Sequence, residues 1–147
     1  MVLDFGLMKG TIKDFIDSFD HCHVIWNKES EEDKKFFKKY SNRWIELPCS
    51  PSAEMLSLVM YYVIDRIIDN TKFNNGEHFP KLHSVRYHET RTGWAECFRE
   101  DLRMWSWNLS DIKISDAIKR EWKDIEMWNK LQKQIPFVNP VVQLKFK

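Results

Sequence analysis

Hydrophobic residues recur at helical spacing in three parts of the chain. The first stripe lies within residues 5–19, behind Asp4 as a possible N-cap, and consists of Phe5, Met8, Ile12, Phe15, Ile16 and Phe19. The second follows Ser50 and Ser52, either of which could cap it, and consists of Leu56, Val59, Met60, Val63, Ile64 and Ile67. The third spans Ser115 to Gln134, with Trp128 beside Ile118, Trp122, Ile125 and Leu131. The pattern predicts three helices, each with one buried face.

Other segments have the pattern of strands, loops and a solvated helix. "RWIELP" predicts a short strand that ends at Pro48, and "KLHSVRYHET" and "WAECFRED" predict a hairpin around residues 91–93. "NTKFNNGEHFP" has loop composition, and two prolines mark an extended end at "IPFVNPVVQLKFK". Ser30, three residues before Asp33, predicts the start of a short charged helix. Helices and short strands together indicate an α+β protein.

Composition narrows the choice of partners. The chain has 147 residues, of which 43% are hydrophobic, and 23 basic residues against 22 acidic ones. A net charge near zero gives no long-range attraction to nucleic acid or to an anionic membrane. The longest apolar run, residues 58–64, is far shorter than the roughly 20 residues of a membrane span. Seven Trp and ten Phe indicate either a subunit interface or a second, smaller hydrophobic cluster, and of the two we expect the interface and hence a homo-oligomer.

The three cysteines bear on the compartment. They are Cys22, Cys49 and Cys97. Their odd number and unpaired spacing argue against a disulfide framework and favour a reducing compartment. We therefore expect the protein in the cytoplasm.

"SFDHCHVIW" concentrates chemical side chains directly after the first predicted helix. Asp20 could hold the tautomer of His21 and make the imidazole a proton carrier near neutral pH. The same pair could instead be a capping feature of the helix end. His21 and His23 could also be two metal ligands on one face of a strand, although no third ligand is evident nearby. Cys22 is better explained as a half-buried thiol than as a nucleophile.

Glu89 is a second candidate for a functional side chain. It lies near the end of the alternating segment "HSVRYHET". A carboxylate that faces a cleft can accept two parallel N–H bonds from a guanidine-like edge, such as that of a pterin or guanine ring. The alternative is a solvent-facing strand residue without a ligand.

Four motifs, in order, resemble those of the 6-pyruvoyl-tetrahydropterin synthase and 6-carboxytetrahydropterin synthase family. They are "MVLDFG", "DSFDH", "PSAEMLSLVMYYVI" and "VRYHETRTGWAECF", and the resemblance covers roughly residues 1–100. It implies the tunnelling fold, in which antiparallel strands with two main helices on one face join those of neighbouring subunits into a barrel. A hexamer of two trimers, or a trimer, with active sites between subunits is the expected assembly.

The resemblance also implies a chemistry and a set of site residues. The family acts on 7,8-dihydroneopterin triphosphate with loss of triphosphate, in deazaguanine (queuosine-type) or tetrahydropterin biosynthesis. By this likeness His21 moves protons, Asp20 orients it and Glu89 anchors the pterin. Thr90 lies beside the anchor, and the pterin ring is also bound near Ser52 and Glu54.

The chain departs from the family pattern in two ways. Zinc is the expected cofactor, but its ligands, a His and a later H-x-H, belong to strands that precede "MVLDF" in the family. The chain as given begins after that point, so we assign no metal ligand in it. The second departure is a Trp-rich C-terminal extension, residues 104–147, that follows a pterin synthase-like domain of residues 1–103.

Three hypotheses follow from the likeness and these departures. The first is a lyase of the pyruvoyl or the carboxy type, active when the zinc-binding strands are supplied. The second is a non-catalytic subunit that binds a pterin or guanine-like ring or serves assembly. The third gives the Trp-rich extension the main role, as a docking helix for another protein, although self-packing of this helix is favoured.

Overall fold

The computed structural model describes residues 5–139, in which helices alternate with short strands. The elements in chain order are α1 (Phe5–Leu7), a π-helical segment (Met8–Ile12), α2 (Lys13–Asp17), β1 (His23–Trp26), α3 (Glu31–Tyr40), β2 (Trp44–Leu47), α4 (Ala53–Asp69), β3 (Thr71–Phe73), β4 (Ser84–His88), β5 (Trp94–Phe98), 3₁₀ segments at Arg99–Met104 and Leu109–Asp111, β6 (Lys113–Ile114), α5 (Asp116–Lys119), α6 (Met127–Lys133) and β7 (Phe137–Asn139). The predicted α+β class is confirmed.

The strands form three small sheets. Strand β2 lies between β1, to which it is parallel, and β6, to which it is antiparallel. Strands β4 and β5 form the predicted antiparallel hairpin, with His88 opposite Trp94 at its closed end. Strands β3 and β7 pair in parallel. Within the described residues these sheets do not close into a barrel.

Strands β3 and β6 are not predicted from the sequence. The pattern predicts a loop at the position of β3 and no element at the position of β6. Each is only two or three residues long and exists through pairing with a distant partner. Thr71 to Phe73 pair with Phe137 to Asn139, and Ile114 pairs with Ile45. A run this short has no periodicity of its own, so its sequence gives no strand signal.

The first helix, formed by residues 5–17, buries only part of the predicted stripe. Met8 and Ile16 are 46% and 44% exposed, whereas Leu7 and Ile12 are buried together with Phe15. The cause is the π-helical segment at Met8–Ile12. Wider turns bring residues five apart onto one side, which places Ile12 below Leu7 and turns Met8 outward. The side chain of Phe5 and the predicted cap, Asp4, lie outside what the structure describes.

Helix α4 is the central helix of the fold. Ser52 caps it by accepting the Met55 amide over 3.2 Å. The whole predicted stripe is buried, but so are residues on its other side, including Leu58, Tyr61 and Tyr62. The hairpin β4–β5 packs on one side of α4, and the first helix packs on another. The prediction of a single buried face was therefore too narrow.

The predicted helix from Ser115 to Gln134 is broken into α5 and α6. Residues 120–126 form turns, Ile125 is 60% exposed, and Met127 is buried instead. The break has a tertiary cause. The backbone amide of Lys123 donates a hydrogen bond, 3.0 Å long, to the carboxylate of Asp14 in the first helix. A backbone donor engaged there does not continue the helical ladder.

The segment after residue 103 shares the main hydrophobic core with the segment before it. The buried cluster that contains Phe15, Leu47 and Val63 also contains eight of the described residues of this segment. They are Ile112, Ile114, Ile118, Trp122, Met127, Trp128, Leu131 and Phe137. The division at residue 103 into two domains stays a prediction. The last part of the predicted extended end, "VVQLKFK", lies outside the described residues.

Helix α3 is the charged helix expected from its sequence, and its lysines explain a buried acid. Ser30 accepts the Asp33 amide over 3.1 Å at its start. Glu46 of β2 is only 4% exposed, and the lysines within ion-pair distance of its carboxylate are Lys34, Lys38 and Lys113. Buried charge is tolerated when it is paired. Among residues 5–139, no helix is both long and apolar enough to cross a membrane.

Candidate active site

Asp20 and His21 form an exposed turn between the first helix and β1. His21 has a backbone φ of 49°, the left-handed conformation that often ends a helix. Its side chain is 91% exposed and that of Asp20 is 78% exposed. The imidazole Nε2 lies 3.7 Å from the Asp20 carboxylate, which is an ion-pair distance and too long for a hydrogen bond. The structure thus brings the predicted pair together without locking its geometry.

Arg43 holds the backbone of this turn and was missed by the sequence analysis. Its Nη2 donates to the carbonyl oxygens of Ser18 and Asp20 at 3.1 and 2.9 Å, and to that of Asp17 at 3.4 Å. These carbonyls are left over where a helix ends and need external donors. Because Arg43 lies more than 20 residues away in sequence, only the fold could reveal this contact.

A cleft of about 410 Å³ lies beside the turn. It is mostly acidic, with one guanidinium and one indole, and its lining residues are Asp14, Asp17, Ser18, Asp20, His21, Arg43, Glu121 and Trp122. Two of these residues come from the segment after residue 103. The cleft is therefore built jointly by the first helix, the start of β2 and the C-terminal part of the chain.

Ser52 and Glu54 lie at the start of α4. The Ser52 hydroxyl oxygen is engaged as the helix cap, which leaves its hydrogen free to donate. Glu54 is exposed and lines a second cleft, of about 240 Å³, between α4 and β5. Both residues are thus available at the N-terminal end of the central helix.

Glu89 and Thr90 lie in the hairpin turn. The Glu89 amide donates to the Gly93 carbonyl over 2.9 Å, and Gly93 returns its own amide to the Thr90 hydroxyl over 2.8 Å. A Cβ at Gly93 would approach that hydroxyl to 2.9 Å, so a larger residue there would displace the Thr90 side chain. Both predicted side chains are exposed. Thr90 has a structural task in the turn, and the Glu89 carboxylate is presented to solvent.

The six predicted residues fall into two groups within one chain. The hairpin follows α4 so that Ala95 lies near Glu54 and Arg99 pairs with Asp65 farther along the helix. The hairpin turn with Glu89 is therefore at the N-terminal end of α4, the end that carries Ser52 and Glu54. Asp20 and His21, by contrast, lead into β1, while the parallel β2 leads out towards Ser52. The two groups flank opposite ends of this strand pair.

The neighbours of the pair, Cys22 and His23, have packing partners. Burial raises the pKa of the Cys22 thiol to about 11, so at neutral pH it is protonated and a weak nucleophile. The His23 ring stacks on Phe37 with 4.2 Å between centroids. In the range 5–139 no three His, Cys, Asp or Glu side chains are grouped to hold a metal ion. The described residues therefore do not fit the zinc site that the resemblance implies.

Comparisons with known proteins decide the family. Residues 1–100 match the family model described as 6-pyruvoyl tetrahydropterin synthase. The chain belongs to the 6-pyruvoyl tetrahydropterin synthase family. Two curated relatives from Helicobacter pylori, strains J99 and 26695, are each named 6-carboxy-5,6,7,8-tetrahydropterin synthase. Each is 37% identical over 135 residues, covering 89% of this chain and 68% of the relative.

The alignment with these relatives reaches beyond the family model. The model ends at residue 100, whereas 89% of the chain is covered by each Helicobacter pylori synthase. Much of the segment after residue 103 therefore has a counterpart in proteins named as synthases. The four family motifs, by contrast, all lie within residues 1–100.

Proposed function

We propose that the chain acts in pterin biosynthesis as a synthase of the 6-carboxytetrahydropterin type. The substrate would be 7,8-dihydroneopterin triphosphate, which loses its triphosphate during the reaction. The observation that carries the proposal is the 37% identity to two proteins of that name over 89% of the chain. No observation favours the alternative of a non-catalytic subunit.

The proposed roles follow from chemistry and placement. His21, exposed on the cleft, would take and return protons, and Asp20 would orient its imidazole once a substrate closes the 3.7 Å gap between them. A positioned general base of this kind typically contributes about 10²- to 10⁴-fold to the rate. Glu89 would accept the amino and ring N–H groups of the pterin, in a site completed by Ser52, Glu54 and Thr90.

We propose that each complete site is assembled from two subunits. Within one chain, Asp20 and His21 flank one end of the strand pair, and the substrate-binding group flanks the other. A homo-oligomer could bring the first group of one subunit to the second group of its neighbour, since a symmetric interface repeats the same contact in every copy. A trimer or hexamer, as expected for the family, would satisfy this arrangement.

The experiment combines a turnover assay with subunit mixing. The purified chain is incubated with 7,8-dihydroneopterin triphosphate, with and without added Zn²⁺, and triphosphate and pterin products are quantified by chromatography. His21→Asn should lose turnover and retain pterin binding, whereas Glu89→Gln should weaken binding. Glu100→Gln, an equivalent change at an exposed position outside both groups, is the matched control.

Mixing tests whether two subunits share a site. When inactive His21→Asn and Glu89→Gln chains are unfolded and refolded together, about a quarter of the wild-type activity should return, because random pairing leaves one site in four with both native side chains. No activity in the mixture would overturn the shared site. Failure of the unmodified chain to bind pterin or to release triphosphate, under every metal condition, would overturn the synthase proposal.

The product of the reaction would distinguish the carboxy type of synthase from the pyruvoyl type. A carboxy product would support a place in deazaguanine (queuosine-type) biosynthesis, and a pyruvoyl product would support tetrahydropterin biosynthesis. The names of the Helicobacter pylori relatives favour the carboxy product. The proposed location is the cytoplasm, which the free cysteines favour.

A further inference from the structure

We infer that residues 121–123, in the C-terminal part of the chain, position the Asp20–His21 turn for catalysis. The inference rests on the proposed function and adds a positioning element to it. These three residues belong to the turns of residues 120–126 that interrupt the helix predicted from Ser115 to Gln134. Each of them contacts the first helix or Arg43.

The first contact is a buried hydrogen bond. The Trp122 indole N–H donates to the hydroxyl of Ser18 over 2.8 Å, and that hydroxyl donates to the carbonyl oxygen of Asp14 over 2.8 Å. Ser18 and Trp122 are only 2% and 4% exposed. Ser18 is two residues before Asp20, so this bond fixes the end of the first helix from below the turn.

The second contact acts through Arg43. Glu121 forms an ion pair with Arg43 Nη1, while Nη2 of the same guanidinium donates to the carbonyls of Ser18 and Asp20. A guanidinium is planar and rigid, so fixing one of its nitrogens also fixes the direction of the other. Glu121 therefore orients the donor that holds the peptide group directly before His21.

The third contact ties the backbone of the segment to the first helix. Lys123 gives its amide to the Asp14 carboxylate over 3.0 Å and its ammonium to the carbonyl of Lys9 over 3.1 Å. Three consecutive residues thus make three different kinds of contact, one with Arg43 and two with the first helix and its end. These clustered contacts explain why residues 121–123 are not helical although their hydrophobic pattern predicts a helix.

The function of these contacts follows from the state of the pair they surround. Asp20 and His21 are highly exposed, and the 3.7 Å between them is too long for a hydrogen bond, so the pair itself supplies little rigidity. A misplacement of about 1 Å at a catalytic group can cost about 100-fold in rate. The backbone restraint from residues 121–123 therefore substitutes for the missing direct bond. Glu121 and Trp122 act as positioning residues.

The test compares the unmodified chain of residues 1–147 with Glu121→Gln, which removes the charge that orients Arg43 and keeps the side-chain size. Arg43→Lys is the second variant, because a lysine keeps the positive charge but has a single nitrogen, which lacks the rigid planar link between the Glu121 contact and the carbonyl contacts. The matched control is Glu126→Gln, whose carboxylate contacts Asn129 of α6. The readouts are NMR order parameters of the Asp20 and His21 amides, steady-state kinetics and the thermal midpoint.

We expect both variants to lower the order parameters of these two amides from the rigid value of about 0.85 towards about 0.6. The turnover number should fall about 10-fold with an unchanged KM, since positioning of His21 does not alter pterin binding. The control should change neither readout. Because Glu121 is solvent-exposed, the thermal midpoint of Glu121→Gln should stay close to those of the unmodified chain and the control.

The outcomes separate this inference from the proposed function. Lower order parameters in a chain that releases no triphosphate would support the positioning role and overturn the synthase activity. Normal turnover and unchanged order parameters in both Glu121→Gln and Arg43→Lys would overturn the positioning role and leave the synthase intact. A higher KM with an unchanged turnover number would also overturn the positioning role.

Discussion

The indole of Trp122 donates a hydrogen bond to the hydroxyl of Ser18, which lies 104 positions earlier in the chain. Both groups are buried, and the acceptor is part of the turn that leads to His21. The bond links the part of the chain beyond the family model to the proposed catalytic pair. The C-terminal part is thus built into the site as well as into the core.

The coupling between Trp122 and Ser18 can be measured directly. A double-mutant cycle of Trp122→Phe and Ser18→Ala should give a coupling free energy of about 1 kcal/mol, typical of a buried hydrogen bond between neutral groups. Urea unfolding of the four proteins provides the values. Additive effects would show that the indole contributes by packing alone.

Backbone conformation and catalysis can be separated at His21. Its φ of 49° favours Gly and, to a lesser degree, Asn. His21→Gly should preserve or raise the free energy of unfolding, and His21→Ala should lower it by about 1 kcal/mol relative to glycine. Both variants should lose turnover because both lack the imidazole. Equal stability of the two variants would contradict the left-handed conformation.

Ser52 is predicted to have a structural role in addition to its proposed substrate contact. Ser52→Ala removes the cap of α4 and should cost about 1 kcal/mol of stability, whereas Ser52→Asp keeps a capping oxygen and should be close to wild type. Chemical denaturation measures both. If Ser52 also contacts the pterin, the aspartate variant should be stable and bind pterin weakly. Tight binding by a stable Ser52→Asp protein would leave only the capping role.

Buried thiols predict a loss of stability in alkaline solution. Burial raises the pKa of Cys49 from 9.0 to about 11. Above its unfolded value the thiol ionises in the unfolded chain and stays protonated in the folded one, so the folded state binds more protons and stability falls as pH rises from 9.0 towards about 11.

The measurement is the pH dependence of the urea midpoint in wild type and Cys49→Ala. The variant should show a shallower decline over that interval, whatever its absolute stability. Cys97, whose pKa burial raises to about 12, should also resist alkylation by iodoacetamide until the chain unfolds. Parallel pH profiles for wild type and variant would contradict the burial of the Cys49 thiol.

Local sequence was sufficient for the elements that depend on local physics. The Ser30 and Ser52 caps, the charged helix α3, the long apolar helix α4 and the β4–β5 hairpin all appear where their patterns predict them. The resemblance also led to the correct family from four short motifs. Each of these features is encoded by neighbours within one turn, one helix or one hairpin.

The sequence by itself determined the α+β class, the family and the adjacency of Asp20 and His21. The tertiary structure alone decided the π-helical turn, strands β3 and β6, the break at residues 121–123 and the contacts of Arg43. The reason is physical: apart from the π-helical turn, whose hydrogen bonds are local, these features are held by hydrogen bonds and ion pairs between residues far apart in the chain. The spacing of hydrophobic residues reflects interactions within one element. Hydrogen bonds between elements override it where, as at Lys123, a backbone amide donates to a distant carboxylate.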